Sequence, residues 1–270
     1  MVIFMLFHTA KRETLSEKSI REHLTAKTFG SKLILLEETD STNNDAKRIA
    51  AEGAIEGTAV LADRQTAGKG RLGRSFFSPE EKGIYMSIVL RPQVALESST
   101  LITSMAAVAV ARAIEKISGV YAQIKWVNDV FLNGKKVCGI LTEGAVDSES
   151  GKLAYAVLGI GVNVGCMEFP EELREVATSV GNEAGRQIQK EALIAEILNE
   201  LEALYGTLES GGFLEESRKR SLVIGKDIKV VGTEQSYPAK AVAIDDLGQL
   251  VVETEKGRRT LRSGEVSVRL

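Results

Sequence analysis

The chain has few of the residues that would indicate a disulfide framework, a metal cage or a membrane span. Of its 270 residues, two are cysteines (Cys138 and Cys166) and two are histidines. Neither type occurs at the spacing of a metal cage or a Ser-His-Asp triad, so we expect neither site. The best apolar run, MAAVAVARAI, is interrupted by Arg112 and is shorter than the roughly 18 residues of a membrane span. We therefore expect a soluble, cytoplasmic protein with reduced thiols.

The overall charge is close to balanced and slightly acidic. Lysine and arginine number 34 against 37 acidic residues, which gives a net charge of -3 and an isoelectric point near 5.7. An attraction of the whole surface to nucleic acid or anionic membrane is therefore not expected. Any basic cluster in the chain must act locally.

Hydrophobic periodicity and turn residues divide the chain into three parts. Residues 1–29 are predicted to be a tail and linker, residues 30–221 a mixed α and β domain, and residues 222–270 a small β-domain of SH3-like size. In the large domain we predict strands at KLILLEET, TAVLAD, GIYMSIVLRP, IKWVNDVFL, KKVCGILTEG and KLAYAVLGIGVNV. Helices are predicted at DSTNNDAKRIAAEG, TLITSMAAVAVARAIEKIS and KEALIAEILNELEALYGTL, the last packing on the sheet.

A glycine-rich basic loop, QTAGKGRLGR, occupies residues 65–74. It spells G-x-G-x-x-G, but no helix is predicted after it, and the acid expected about 20 residues later in a dinucleotide fold is missing. A P-loop is excluded because Gly70, rather than Ser or Thr, follows Lys69. Glycines that allow close backbone approach, together with Lys69, Arg71 and Arg74, predict a local site for an anionic ligand. The plain alternative is a solvated surface loop.

Polar residues interrupt several apolar segments. KWVNDV places the only tryptophan, Asn128 and Asp129 within a predicted strand, where they either form a site or make a turn. Lys136 is either a solvated edge-strand lysine or a cation aimed into the same pocket, and on its own the edge-strand interpretation is preferred. DSTNN at residues 40–44 is a helix cap or a set of hydroxyls and amides for a polar ligand. Asn163 ends an apolar strand, where a local turn contact is slightly preferred.

In this order, DSTNN, QTAGKGRLGR, KWVNDV, KKVCGIL and GIGVNV closely resemble the signature blocks of biotin protein ligases, over about residues 30–165. The resemblance implies an α+β fold: a mixed sheet flanked by helices, like that of class II aminoacyl-tRNA synthetases, with a small C-terminal SH3-like β-barrel. It also implies an enzyme that uses ATP, biotin and Mg²⁺ to make biotinyl-5′-AMP. The biotinyl group then passes to a lysine of a biotin carboxyl carrier protein, a subunit of acetyl-CoA carboxylase or a related carboxylase.

The resemblance also implies roles for individual residues. Contacts to biotin fall on Ser41, Thr42, Asn43, Gln65, Lys69, Gly70, Arg71 and Lys136. Contacts to ATP and the adenylate fall on Arg71, Arg74, Phe76, Asn128, Asp129 and Asn163. Lys136 and Arg71 are the catalytic candidates, and Mg²⁺ is expected to be held mainly through the nucleotide phosphates.

Two positions depart from the usual pattern, since family members often have Trp in place of Phe76 and Arg in place of Lys69. Stacking survives the first change, and the second keeps the charge but removes a bidentate fork. Some members carry an N-terminal DNA-binding domain; residues 16–30 resemble only the linker after it, so DNA binding is not expected. A homodimer is left open. The competing functions are a lipoate-type acyl ligase and a non-catalytic protein that senses biotin or a nucleotide.

Overall fold

The structure, a computed structural model, describes residues 15–80, 82–92, 99–146, 153–232, 236–262 and 266–269. Within these ranges the larger part of the chain contains α1 (Glu17–His23), β1 (Leu33–Thr39), α2 (Thr42–Ala51), β2 (Ala59–Gln65), β3 (Gly83–Leu90), α3 (Ser99–Ser118), β4 (Gln123–Lys125), β5 (Asp129–Leu132), β6 (Lys135–Val146), β7 (Leu153–Asn163), α4 (Val180–Ala184), α5 (Lys190–Tyr205) and α6 (Leu214–Lys219). The C-terminal part contains β8 (Asp227–Gly232), β9 (Ser236–Ile244), β10 (Leu250–Thr254), β11 (Gly257–Leu261) and β12 (Val266–Arg269).

A seven-stranded mixed sheet forms the centre of the larger part, in the order β1-β2-β3-β7-β6-β5-β4. Strands β1 and β2 are parallel and are connected through α2, whereas the remaining neighbours are antiparallel. Every residue of β3 is buried, because this central strand is covered by α2 and α5. The expected fold, a mixed sheet flanked by helices, is confirmed.

The long helix α3 is mainly apolar because most of it is buried in the core. Its residues from Met105 to Ala111 are fully buried, and Gly119 follows its last turn with φ of 80°. Helix α5 buries the predicted stripe from Leu193 to Leu204 and packs mainly on α3 and α1, while it reaches the sheet at β3 and, through the ion pair of Lys190 with Asp63, at β2. The prediction that α5 packs on the sheet is therefore confirmed, although its larger contacts are with the neighbouring helices. Among the described residues, no helix is long and apolar enough to cross a membrane.

The segment before β1 is not a loose linker over the part that the structure describes. Ile20 of α1 and Phe29 are both buried in the main core. Glu202 of α5 also accepts hydrogen bonds from the backbone N–H groups of Lys27, Thr28 and Phe29 at 2.8, 2.6 and 2.9 Å. Residues 15–29 thus belong to the packed domain, a correction to the predicted tail; residues 1–14 lie outside the described ranges.

The C-terminal part is a five-stranded antiparallel sheet in the order β11-β10-β9-β8-β12, as expected for a small SH3-like domain. Its core also contains Trp126 and Val127 from the larger part. The Trp126 Nε1–H donates to the carbonyl of Gly248, in the turn between β9 and β10, at 2.9 Å. The only tryptophan therefore ties the two parts together, while the exact boundary at residue 222 stays a prediction.

Candidate active site

A cavity of about 340 Å³ lies between the glycine loop, the start of α2 and the strands β6 and β7. Apart from Asn163, all the candidate residues line it: Ser41, Thr42, Asn43, Gln65, Lys69, Gly70, Arg71, Arg74, Phe76, Asn128, Asp129 and Lys136. Side chains far apart in the sequence thus converge on one volume. Its wall is polar and cationic along the loop, and its floor is formed by the glycine-containing strands β6 and β7.

The start of α2 presents polar groups to the cavity. Ser41 is the N-cap residue and is buried, yet its hydroxyl makes no cap hydrogen bond; Asp40 instead accepts from the Ser41 backbone N–H at 2.6 Å. The backbone N–H and Oγ1 of Thr42 both donate to Gln65 Oε1, at 2.9 and 3.1 Å. The plain reading of DSTNN as a helix cap therefore does not account for its side chains.

The glycine loop folds back over the cavity as a compact turn. The Gly70 N–H donates to the Arg74 carbonyl at 2.7 Å, and the Phe76 N–H donates to the Gly68 carbonyl at 2.9 Å. The Arg71 guanidinium reaches across to donate to Asn128 Oδ1 at 3.0 Å. Burial lowers the pKa of Arg71, an effect that Asp129 opposes and Arg74 reinforces. An anion bound here would offset part of that desolvation.

The KWVND segment is a turn, not the continuous strand that was predicted. Strand β4 ends at Lys125 and β5 begins at Asp129, so the three residues between them form the connection. Asn128 Nδ2 donates to Asp129 Oδ1 at 3.1 Å and to the Ile140 carbonyl at 3.1 Å, which fixes the amide. The turn thereby presents Asn128 and Asp129 to the cavity.

Lys136 points into the cavity, so the interpretation as a solvating edge lysine is wrong. Its Nζ lies 2.6 Å from Asp129 Oδ1, with its side chain 34% exposed. Because Asn128 contacts both Arg71 and Asp129, one connected chain of polar groups joins the two catalytic candidates. Two cations are thus held on one wall by one amide and one carboxylate.

Phe76 covers a pair of glycines on the floor of the cavity. Gly139 of β6 and Gly161 of β7 are opposite each other in the sheet. A Cβ at Gly161 would come within 2.6 Å of the Phe76 ring, and one at Gly139 within 3.2 Å. The ring also meets Tyr85 edge-to-face, with centroids 6.5 Å apart. The absence of side chains at these two positions is what admits an aromatic ring.

Asn163 is not among the residues that line the cavity. Its Nδ2 donates to the Thr178 carbonyl at 3.0 Å, while its buried Oδ1 has no hydrogen-bond partner among the described residues. Its side chain shares a face of β7 with Gly159 and Gly161, since alternate residues of a strand point the same way. Its assignment to the nucleotide stays a prediction.

Both parts of the chain are similar to known proteins. Residues 35–163 match the Biotin/lipoate A/B protein ligase family, and residues 223–269 match the Biotin protein ligase C terminal domain. The chain is 38% identical over 261 residues to the bifunctional ligase/repressor BirA of Bacillus subtilis, covering 94% of this chain and 79% of that protein. The biotin–(acetyl-CoA-carboxylase) ligase of Mycobacterium tuberculosis is 31% identical over 264 residues, covering 94% of this chain and 96% of that protein. The chain belongs to the biotin protein ligase family.

Solved structures agree with this membership. The biotin protein ligase of Aquifex aeolicus, in complex with biotin and ATP, superimposes with a TM-score of 0.75 at 32% identity. The similarity covers 88% of this chain and 98% of that one. The biotin ligase fold therefore extends over both the catalytic part and the C-terminal sheet.

Sequence reasoning missed two residues around this candidate site, Ser87 and Glu143. Ser87 on β3 donates to Asn43 Oδ1 or Thr42 Oγ1, at 2.6 or 2.7 Å, and Glu143 on β6 accepts from Asn43 Nδ2 at 2.8 Å. Ser87 had a visible signal, because it is the one serine in the mainly apolar run GIYMSIVL. Glu143 had none, since its partner lies 100 residues away in the sequence.

Proposed function

We propose that this protein activates biotin with ATP to biotinyl-5′-AMP and transfers the biotinyl group to a lysine of a biotin carboxyl carrier protein. The observation that carries the proposal is the convergence of Arg71 and Lys136 on one cavity, linked through Asn128 and Asp129. Family membership supplies the reaction class. The cavity supplies two cations where two anionic substrates must meet.

The orientation of the ligands follows from β7. Gly159 packs against Asn43, among the hydroxyls and amides that suit the ureido head of biotin, and Gly161 packs against the Phe76 ring, which suits adenine. Two residues of a strand span roughly 7 Å. We infer that biotin and the nucleotide lie side by side along this strand, so that the biotin carboxylate and the α-phosphate meet near Lys136.

In the first step, the biotin carboxylate oxygen forms a bond to the α-phosphorus, and pyrophosphate leaves. The carboxylate and the phosphate repel each other, so positive groups held close to both contribute most of the protein's part. Lys136 contacts the carboxylate and the α-phosphate in this proposal, and Arg71 holds the phosphoryl oxygens. Asp129 and Asn128 keep both cations in place before the substrates arrive.

In the second step, a neutral lysine amine of the carrier attacks the carbonyl carbon of the mixed anhydride. AMP leaves, and the amine loses a proton as the amide forms. Asp129 is a carboxylate on the cavity wall and is the proposed residue to orient the incoming amine. The loop from Lys69 to Arg74 covers the adenylate and keeps water from it.

We propose that Mg²⁺ binds together with the nucleotide. Within the ranges that the structure describes, no group of three or more His, Cys, Asp or Glu side chains is placed to hold a metal ion, and Asp129 is already paired with Lys136. This donor set suits an ion held mainly by the phosphates. The ion would add positive charge to that supplied by Lys136 and Arg71.

Asn163 is proposed to recognise adenine. Its Oδ1 is an acceptor that no described residue satisfies, on the same strand face as Gly161. An exocyclic amine is a donor of the required kind. Arg74 and Phe76 would hold the same end of the nucleotide.

The direct test incubates the protein with ATP, Mg²⁺, biotin and a biotin carrier domain, and measures the mass of the carrier. One added biotinyl group and release of pyrophosphate are expected. Labelling by lipoate in preference to biotin, in a competition between the two acids, would instead favour the lipoate-type activity. Binding without release of pyrophosphate would favour a sensor.

The acceptor protein and the cellular location also belong to the proposal. We propose a carboxylase carrier as acceptor and a cytoplasmic location, in keeping with the free thiols of Cys138 and Cys166. Sequence-specific DNA binding is not proposed, given the slightly acidic chain. Gel retardation of operator DNA that depends on biotinyl-5′-AMP would contradict this, and sedimentation would decide whether a homodimer forms.

A further inference from the structure

We propose that Glu143, together with Lys47, fixes the direction of the Asn43 amide and thereby makes Asn43 an acceptor toward the ligand. The inference rests on the proposed function, because the ligand group concerned is the ureido head of biotin. Glu143 lies outside the lining of the cavity, and in this proposal it acts through Asn43. It is a positioning residue, and Asn43 is the residue that contacts the ligand.

The contacts of Asn43 separate its two amide atoms. Its Nδ2 donates to Glu143 Oε2 at 2.8 Å and lies 3.4 Å from the Leu141 carbonyl oxygen, both of which can only accept. Its Oδ1 lies 2.6 Å from the buried Ser87 hydroxyl. An amide turned by 180° would face oxygen with oxygen at Glu143 and Leu141. The observed direction is therefore the only one these neighbours allow.

Gly159 packs against the same oxygen, Asn43 Oδ1. A Cβ at this position would overlap Asn43 Oδ1, so the amide packs directly on the β7 backbone. Asn43 and Gly159 both line the cavity, and we infer that this oxygen is the amide atom turned to the ligand. The ureido ring carries two N–H donors, and an oxygen placed here accepts from one of them.

Lys47 forms an ion pair with Glu143, so the direction of the Asn43 amide depends on the charge of Glu143 as well as on its shape. Its Nζ lies 2.7 Å from Glu143 Oε1, so the two carboxylate oxygens serve two different donors. A glutamine at position 143 has a single acceptor oxygen. Lys47 can only donate, and it would draw that oxygen to itself, leaving the glutamine NH₂ to face the Asn43 NH₂. The Asn43 amide would then turn and present a donor to the ureido N–H.

The experiment is a double-mutant cycle of Glu143→Gln and Lys47→Met, read by steady-state release of pyrophosphate. Glu143→Gln is expected to raise the KM for biotin on the order of ten-fold, the size of one hydrogen bond replaced by a donor–donor contact, while the KM for ATP and kcat stay within about two-fold. Adding Lys47→Met frees the glutamine oxygen to accept from Asn43 again, so the double variant should recover most of the loss.

The controls separate this role from general damage to the site. Glu38→Gln makes the same chemical change in the exposed Glu38–Arg64 pair on β1 and β2 and is expected to leave the KM for biotin unchanged. Glu143→Asp keeps a group that only accepts, and it should raise the KM for biotin much less than Glu143→Gln does. If Glu143→Gln does not fold, the KM for biotin of Glu143→Asp tests the inference in its place.

Several outcomes would overturn the inference: an unchanged KM for biotin in Glu143→Gln, no recovery in the double variant, or equal effects of Asp and Gln. Failure of the proposed function is distinguishable from all of these. In that case the parent protein itself would release no pyrophosphate from ATP and biotin.

Discussion

The Nζ of Lys136 lies 2.6 Å from Oδ1 of Asp129, across the hairpin of β5 and β6. The carboxylate holds the ammonium group against the cavity wall, where its side chain is about one-third exposed. The same Asp129 oxygen also accepts from Asn128, which in turn accepts from Arg71. A charge that is already oriented does not need to reorganise as the transition state forms, and this is the main source of electrostatic catalysis.

Replacing Lys136 with alanine is expected to lower adenylate formation by on the order of 10²-fold or more, the usual cost of removing a charge aimed at the transition state. Pyrophosphate release measures it. The neighbouring Lys135 is the matched control, because its Nζ donates to the Arg174 carbonyl and it is not in the cavity lining. Lys135→Ala should keep near-normal activity. Unchanged pyrophosphate release in Lys136→Ala, with an unaltered melting temperature, would rule out the proposed role.

Trp126→Phe tests the link between the two parts of the molecule. The change keeps an aromatic ring in the C-terminal core but leaves the buried carbonyl of Gly248 without its donor. An unsatisfied buried acceptor costs about 1–3 kcal/mol, so urea unfolding should show a loss of stability of that size. If stability is unchanged, the hydrogen bond to Gly248 contributes nothing measurable to the union of the two parts.

Local signals in the sequence predicted most of the fold correctly. Short apolar runs located β1 and β7, and Gly119 marked the end of α3, because these features depend on neighbours close in the chain. The failures arose where tertiary contacts decide. Ile20 and Phe29 lie in a polar stretch whose helix is stabilised by packing on α5, and the KWVND turn is formed where Trp126 leaves the sheet to enter the C-terminal core.

In the candidate site, too, features set by the local sequence could be predicted and features set by tertiary contacts could not. Residues in compact motifs, such as Arg71 and Lys136, could be singled out from the sequence, and the structure brings them to one cavity. Asn128 and Asp129, which hold these two cations, also lie in such a motif. The contacts that orient Asn43, in contrast, join distant segments and leave no local pattern. Glu143 and Lys47 meet across 96 residues, and neither belongs to a motif that the sequence marks as functional.

The stability of the N-terminal segment should depend on pH through Glu202. Burial favours its neutral form, but the N–H groups of Lys27, Phe29 and Thr28 outweigh that effect and lower its pKa below the ordinary 4.5. A lowered pKa in the folded state means that the stabilisation is complete above the unfolded pKa and is lost as the pH falls through the folded one.

Glu202→Gln is accordingly expected to reduce stability by about 1 kcal/mol near neutral pH, the size of a charge-assisted hydrogen bond at a partly exposed site. Thermal unfolding of parent and variant between pH 7 and pH 3 measures it, and the difference should shrink below about pH 4.5. Glu209→Gln, at an exposed position, is the control. A difference that stays constant over this pH range would mean that the carboxylate charge is not responsible.

The last prediction concerns retention of the intermediate by Arg71. This side chain reaches from the glycine loop to Asn128 and is partly desolvated, so an adenylate phosphate is a stronger partner for it than water. Arg71→Gly removes the clamp but leaves the polar groups around Asn43 and the cation of Lys136. The variant should therefore still make some biotinyl-5′-AMP and release it.

Free adenylate acylates exposed lysines without selection. Mixed with ATP, biotin and albumin, Arg71→Gly should attach covalent biotin to the albumin, detectable by avidin blotting, whereas the parent should not. Arg64→Gly, which removes an exposed arginine paired with Glu38, should behave as the parent does. If Arg71→Gly labels only the carrier domain, the residue does not retain the intermediate.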